Sequence, residues 1–274
     1  MKVQLRIIPT DLLKEYVSKF NTDLKSKFEG LIDSELSVDN FSFYTSVSAV
    51  FSSKIEGEEI EFDSFVKHKR FGIEYQPDYT RKIDALYGAY SYAQKNPLTE
   101  KSIQNIHAQI TAHILPKTQQ GKIRQNNMFV ITNDGKIEYV AALPEKAKEE
   151  MEKLYFDIQL LLKSELSFEE IFFFASFIHL IFVKIHPFND GNGRTARLIE
   201  KWFLAQKLGF KAWYIQSEKN YYENHQAYYN SIRKLGLEYD ELDYSESSTS
   251  ISANIFIIPL LQTVYLRIVF RIML

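Results

Sequence analysis

The 274-residue chain has no cysteine. Disulfides and thiolate zinc sites are thereby excluded, and the composition suits a reducing compartment, so a cytoplasmic location is expected. An excess of charge is also missing. The 33 Lys and Arg residues against 35 Asp and Glu leave a net −2, so no global field draws the chain to nucleic acid or to an anionic membrane. It shows no basic cluster and no recognition-helix pattern, and nucleic acid is not an expected partner. The opening "MKVQLRIIPT DLLKEY" lacks both a long apolar core and a small-residue cleavage site, which argues against a signal peptide. The longest apolar run before the tail, Ile171–Val183, is too short to span a bilayer and carries His179, so it reads as a buried helix. No internal repeat of useful length is visible.

What is present is mostly helical periodicity in a chain long enough for a sizeable core. In "YTSVSAVFSS KIEG" the apolar residues Val47, Val50, Phe51 and Ile55 share a face, and Gly57 stands where a helix would be capped. "TRKIDALYGA YSYAQ" repeats the pattern through Ile83, Leu86, Tyr87 and Tyr90, and another helix follows from about Thr99. Ser167 with Glu170 forms a capping box ahead of the apolar run. That helix should stop at His186, because Pro187 disfavours helical geometry in the residue before it. A further helix is expected from about Gly193 to Gly209, with Ala196, Ile199, Trp202, Phe203 and Gln206 facing inward. "MFVITNDGKI EYV" differs: two short β-rich runs flank Asn133-Asp134-Gly135, a hairpin signal. The serine-rich "SESSTSIS" at 245–252 reads as a linker to an apolar tail, which is either a docked helix or a membrane anchor, the former being the expectation.

The stretch "HPFNDGNGRT AR" at 186–197 follows the apolar run directly. Arg194 and Arg197 would lie near a helix N-terminus, where each cation opposes the macrodipole by about 0.3–1 kcal/mol. Unless both bend into solvent, a bound anion there reverses the sign. Gly191-Asn192-Gly193 lets the backbone come close with converging amides, so amides, dipole and two guanidiniums together describe a phosphate site. Asp190 beside a polyphosphate suits Mg²⁺, although an aspartate that merely forms a turn is equally ordinary there. His186, at the rigid end of the helix, has the one side chain that titrates near physiological pH, as a general base requires. His68, His107, His113, His179 and His225 read as structural. With no second histidine at ligand spacing, zinc is not expected.

Position for position, His186–Arg197 resembles the signature of the Fic family, and with the surrounding helices and hairpin the resemblance covers roughly residues 45–240. It implies a mainly α fold, a Fic-type helical bundle with a short β-hairpin flap. The implied regions are 1–95, a helical region carrying an inhibitory helix; 96–240, the catalytic core; and 241–274, the linker and tail. The implied activity is transfer of AMP from ATP to a Ser, Thr or Tyr hydroxyl of a target protein, with pyrophosphate released. His186 takes the hydroxyl proton and Asp190 holds Mg²⁺. Gly191, Asn192, Gly193 and Thr195 contact the nucleotide, and Arg194 and Arg197 bind its far phosphates. Tyr222 and Asn230, eight residues apart on one helical face, match the family's nucleoside contacts. The hairpin resembles the family's flap, whose edge strand holds a target segment by strand addition, with "YVAALPEK" the part near the nucleotide.

Ser52, Glu56 and Gly57 match the family's inhibitory motif, Ser or Thr, three residues, Glu, then Gly or Asn. Glu56 closes a predicted helix, the unfavoured end for an acid, and the resemblance implies that it pairs with Arg197 and blocks seating of the terminal phosphate. Alternatively Glu56, Glu58, Glu59 and Glu61 form one solvated acidic patch. Three rival functions stay open: removal of AMP from a modified protein, transfer of another phosphate-containing group, and a nucleotide-responsive interaction module without catalysis. A homodimer is compatible with each.

Overall fold

The computed structural model describes residues 4–242 apart from 21–22, 36, 39–40, 74, 132–134, 136 and 234. Eleven α-helices and one two-stranded antiparallel sheet are present among them. The serine-rich linker and the apolar tail lie outside the described residues, as does most of the Asn133-Asp134-Gly135 turn. No described helix is long and apolar enough to cross a membrane.

The first helices are α1 (Leu13–Lys19), α2 (Asp23–Glu29), α3 (Phe43–Ile55), α4 (Phe62–Phe71), α5 (Pro77–Ala93) and α6 (Glu100–Ile110). Their starts follow local chemistry. Ser42 and Thr99 accept the amides of Thr45 and Ser102 as N-caps of α3 and α6, and Pro77 sits in the first turn of α5. Gly57, at φ +84, turns the chain out of α3 as expected. Strands β1 (Phe129–Ile131) and β2 (Ile137–Val140) pair Phe129 with Val140 and Val130 with Tyr139, and the register then slips before Ile131 meets Ile137. On its other edge β2 is touched by the segment after the last helix, where the Val140 amide donates to the Leu237 carbonyl at 2.8 Å.

Helix α7 (Pro144–Lys163) leads to α8 (Phe168–Ile185), which starts at the Ser167–Glu170 capping box. From Ile171 to Ile185 every residue of α8 is buried; a helix apolar all round must be enclosed by others. Helix α9 (Asn192–Leu208) packs along it, and α7, α6 and α3 lean on this pair. Of the residues expected inward on α9, Ala196, Ile199, Trp202 and Phe203 are buried. Gln206 is exposed, a correction: the whole last turn is half-buried or open, because α9 outruns the layer that covers it. Helices α10 (Ser217–Glu223) and α11 (His225–Arg233) close the far side. One continuous apolar core runs from Ile8 to Leu235, so helices on both sides of residue 96 share it.

Candidate active site

The site forms where α8 ends and α9 begins. His186 terminates α8 in the left-handed region, φ 51 and ψ 59. A non-glycine residue there carries strain, which neighbours must offset. Two groups hold it. Arg124, 2% exposed, donates from Nε to the His186 carbonyl at 2.7 Å and from its other nitrogens to Ile185, Asn126 and Ala142 carbonyls. Tyr139 of β2 places its hydroxyl 3.0 Å from His186 Nδ1. Burial pushes the His186 imidazole down to about 4, outweighing the Val183 carbonyl and the nearby Glu56 and Asp190 carboxylates. At neutral pH the ring is therefore uncharged, as a base must be.

After His186 the chain turns tightly. Phe188 is fully buried and stacks on His107 of α6 with ring centroids 3.7 Å apart. The Asn192 side chain both accepts from the Phe188 amide and donates to its carbonyl, at 2.9 and 2.8 Å. Its amide group thus stitches the loop together, leaving any ligand contact at Asn192 to the backbone. Gly191 is needed for two reasons: its φ is +76, and a Cβ there would lie 2.7 Å from Thr111 Cγ2. His107 Nδ1 accepts from the Gly121 amide at 2.8 Å, so its Nε2 carries the proton and donates to the Asp190 carbonyl at 2.9 Å. Burial pushes His107 to about 4 as well.

Both arginines meet acids. Arg197, with 1% of its side chain exposed, donates from Nη2 to Glu56 Oε1 at 2.6 Å, and from Nε and Nη2 to the Ser52 hydroxyl and carbonyl at 2.9 and 3.0 Å. The pair expected between Glu56 and Arg197 is present in the geometry. Burial works to raise the Glu56 pKa, but Arg197, Arg194 and His186 together hold it below the usual carboxylate range. The same oxygen lies 2.7 Å from where a Cβ on Gly193 would stand, so the carboxylate rests over the first turn of α9. Arg194 donates to Asp190 Oδ1 at 3.0 Å and lies 3.4 Å from Glu58 Oε1, which Lys82 also approaches at 3.4 Å. Glu58 is 5% exposed, so Glu58 does not belong to a solvated patch. Its Oε2, Arg194 Nε and Thr195 Oγ1 are buried without a hydrogen-bond partner.

The Asp190 side chain is about half exposed, and among the described residues its Oδ1 is engaged by Arg194 and the Gly191 amide. No cluster of three or more metal-ligating side chains occurs among the described residues. A single carboxylate beside a phosphate site still fits Mg²⁺, which keeps most of its waters and takes its remaining ligands from phosphate oxygens.

Tyr222 and Asn230 are not brought together. The helix breaks at Asn224, so they stand on α10 and α11, not on one face. Tyr222 packs beside Phe51, and Asn230 is exposed and accepts from Gln226 at 2.9 Å. Tyr221 and Tyr228 reach inward instead, Tyr228 lying 2.9 Å from His179 Nε2 in a buried network with Glu200 and Tyr221. Sequence reasoning missed Arg124 and the roles of His107, Tyr139 and Glu58. Each acts through a partner at least 44 residues away, so no local pattern announces it.

Loop, helix start and paired arginines form a site suited to an anion in a mainly helical fold. The Fic/DOC family matches residues 97–204, and this part of the chain is a Fic/DOC-family domain. "Protein adenylyltransferase Fic" of Nematostella vectensis is 34% identical over 139 residues, half of this chain, which spans only 30% of that relative's length. Among solved structures, a Fic family protein from Desulfovibrio desulfuricans G20 superposes with a TM-score of 0.73 at 15% identity, over 98% of this chain and 77% of the other. A Fic domain-containing signaling protein from Bacteroides thetaiotaomicron gives 0.65 at 17%, covering 94% of each chain. Fic-1 from C. elegans gives 0.63 at 16%, over 93% of this chain and 72% of that one. These likenesses are of fold, and the fold is the Fic helical bundle with its small hairpin.

Proposed function

We propose that the chain is a protein adenylyltransferase restrained by Glu56. The observation that carries this reading is the Glu56 carboxylate itself, an anion held 2.6 Å from Arg197 Nη2 and over Gly193. It occupies ground suited to a phosphate group, with amides, dipole and guanidinium in place. In the reaction, His186 Nε2 takes the proton of a Ser, Thr or Tyr hydroxyl whose oxygen bonds to the α-phosphorus of ATP. The bond from that phosphorus to the bridging oxygen breaks, and pyrophosphate leaves with the electron pair. Arg194 and Arg197, already oriented by buried partners, stabilise the charge that develops on it. Asp190 would hold Mg²⁺, which would supply further neutralisation of the phosphates. The hairpin offers an extended target segment a strand edge beside His186.

A second reading, removal of AMP from a modified protein, is favoured by one detail: a quarter of the Glu56 side chain is exposed, enough for its carboxylate to orient a water. Two variants test the main reading. With ATP labelled at the α-phosphate, Glu56→Gly is expected to raise incorporation at least about tenfold, and His186→Ala in that background to abolish it. Equal incorporation in wild type and Glu56→Gly would remove the restraint. Full incorporation without His186 would remove the base. AMP released from a modified target only while Glu56 is present would favour the second reading.

A further inference from the structure

Pro187 does more than end α8. In a continued helix the Val183 carbonyl would accept the amide four residues on, but that residue is Pro187 and has no N–H. The carbonyl is buried in the last turn and needs a donor. Tyr139, reaching across from β2 and itself 4% exposed, supplies one: its hydroxyl lies 2.8 Å from Val183 O. His186 Nδ1 stands 3.0 Å from the same hydroxyl and 3.3 Å from the same carbonyl.

The protons can be assigned from these three distances. A tyrosine hydroxyl has one proton, and a carbonyl only accepts. If Tyr139 gave its proton to Nδ1, Val183 O would be left with no hydrogen to accept from either neighbour. If Tyr139 donates to Val183 O, Nδ1 must carry a hydrogen, which it gives to the Tyr139 oxygen. Every group is then satisfied, and the imidazole lone pair lies on Nε2. Leaving the buried carbonyl unmade would cost about 1–3 kcal/mol, enough to fix one tautomer.

We propose that Tyr139 is a positioning residue of the hairpin, one that with the Val183 carbonyl holds His186 as its Nδ1–H tautomer, fixes the ring's orientation and so presents a basic Nε2 to the incoming hydroxyl. The hairpin that offers a target its strand edge therefore also orients the base. A base with its proton on the wrong nitrogen cannot accept one where the reaction needs it. The kinetic part of this inference rests on the adenylyltransferase reading; the tautomer does not.

The test uses the full chain labelled with ¹⁵N-histidine and long-range ¹H–¹⁵N spectra at pH 7, with the His186 signals identified by their loss in His186→Ala. The native chain is expected to show Nδ1–H alone; an Nε2–H signal overturns the proposal at once, whatever the variants do. In Tyr139→Phe the Val183 carbonyl, 3.3 Å from Nδ1, remains as acceptor, so Nδ1–H is expected to persist while the ring loses the hydroxyl that orients it. In the Glu56→Gly background the same change should lower the turnover of AMP incorporation about tenfold or more while the KM for ATP stays within about twofold. Unchanged turnover overturns the role. Should Glu56→Gly incorporate no AMP at all, the proposed activity fails while the spectra still decide the tautomer.

Discussion

His186 and His107 are both pushed down to about 4 by burial, and the two shifts have different consequences. For His186 the consequence is kinetic. In the proposed reaction its neutral form is the base, and that form predominates above a pH of about 4. AMP incorporation by Glu56→Gly, measured across pH, should therefore show no loss near 6.5, the ordinary histidine value, on its acid side, and should fall only towards 4. For His107 the consequence is stability. Its folded pKa lies below the unfolded value, so its contribution is complete above about 6.5 and is lost as pH falls from there through about 4. The thermal midpoint of the native chain should drop between pH 7.5 and 5. In His107→Gln, whose amide can still donate to the Asp190 carbonyl, the drop should be smaller, although that variant starts from a lower midpoint.

At the scale of elements, the loop between α8 and α9 is more constrained by its buttress than by its own residues. Gly191→Ala combines a left-handed φ of +76 with a Cβ 2.7 Å from Thr111 Cγ2. The two penalties together should cost about 2–4 kcal/mol in urea unfolding. Adding Thr111→Ser removes the methyl group and should recover the steric share, leaving the backbone share. This loop also shows what sequence can reveal. The capping box, the stop at Pro187, the glycines and the arginine pair are local signals, and each lies within a few residues of what it controls. The same holds for the Ser52-to-Glu56 spacing, whose two ends grip one guanidinium. The resemblance and an eight-residue spacing put Tyr222 and Asn230 on one helical face, which the break at Asn224 divides between two helices. Gln206 follows the helical period into a last turn that is only partly covered. His107 looked like any core histidine because its task, holding the Asp190 carbonyl, depends on a contact 83 residues away.

At the scale of the whole molecule, the chain is tied together by charges placed far apart in sequence. Asp157 of α7 is fully buried and accepts the amides of Arg6, Ile7 and Ile8 at 2.7, 2.9 and 3.0 Å. Three donors around one carboxylate fasten the first described residues to the bundle, where Arg6 also lies over the Phe156 ring. Asp157→Ala leaves those amides without an acceptor and should cost about 3 kcal/mol. Hydrogen exchange would locate the loss, with amides 6–8 exchanging faster than the core of α8. Unchanged exchange there would show that the segment is held by its apolar contacts alone. Glu56 is likewise 141 residues from Arg197 and outside the region 97–204 that matches the family. A fragment limited to that region would keep the loop and lose the acid that covers it.

The short bond between Val140 and Leu237 has a consequence for visitors to the hairpin. A foreign backbone that seeks to extend the ribbon at Val140, the strand position next to Tyr139, finds that berth already taken by the chain's own residues. It must either align along the opposite margin, 129–131, or first evict its resident competitor. A guest that manages neither finds no backbone pairing at that margin.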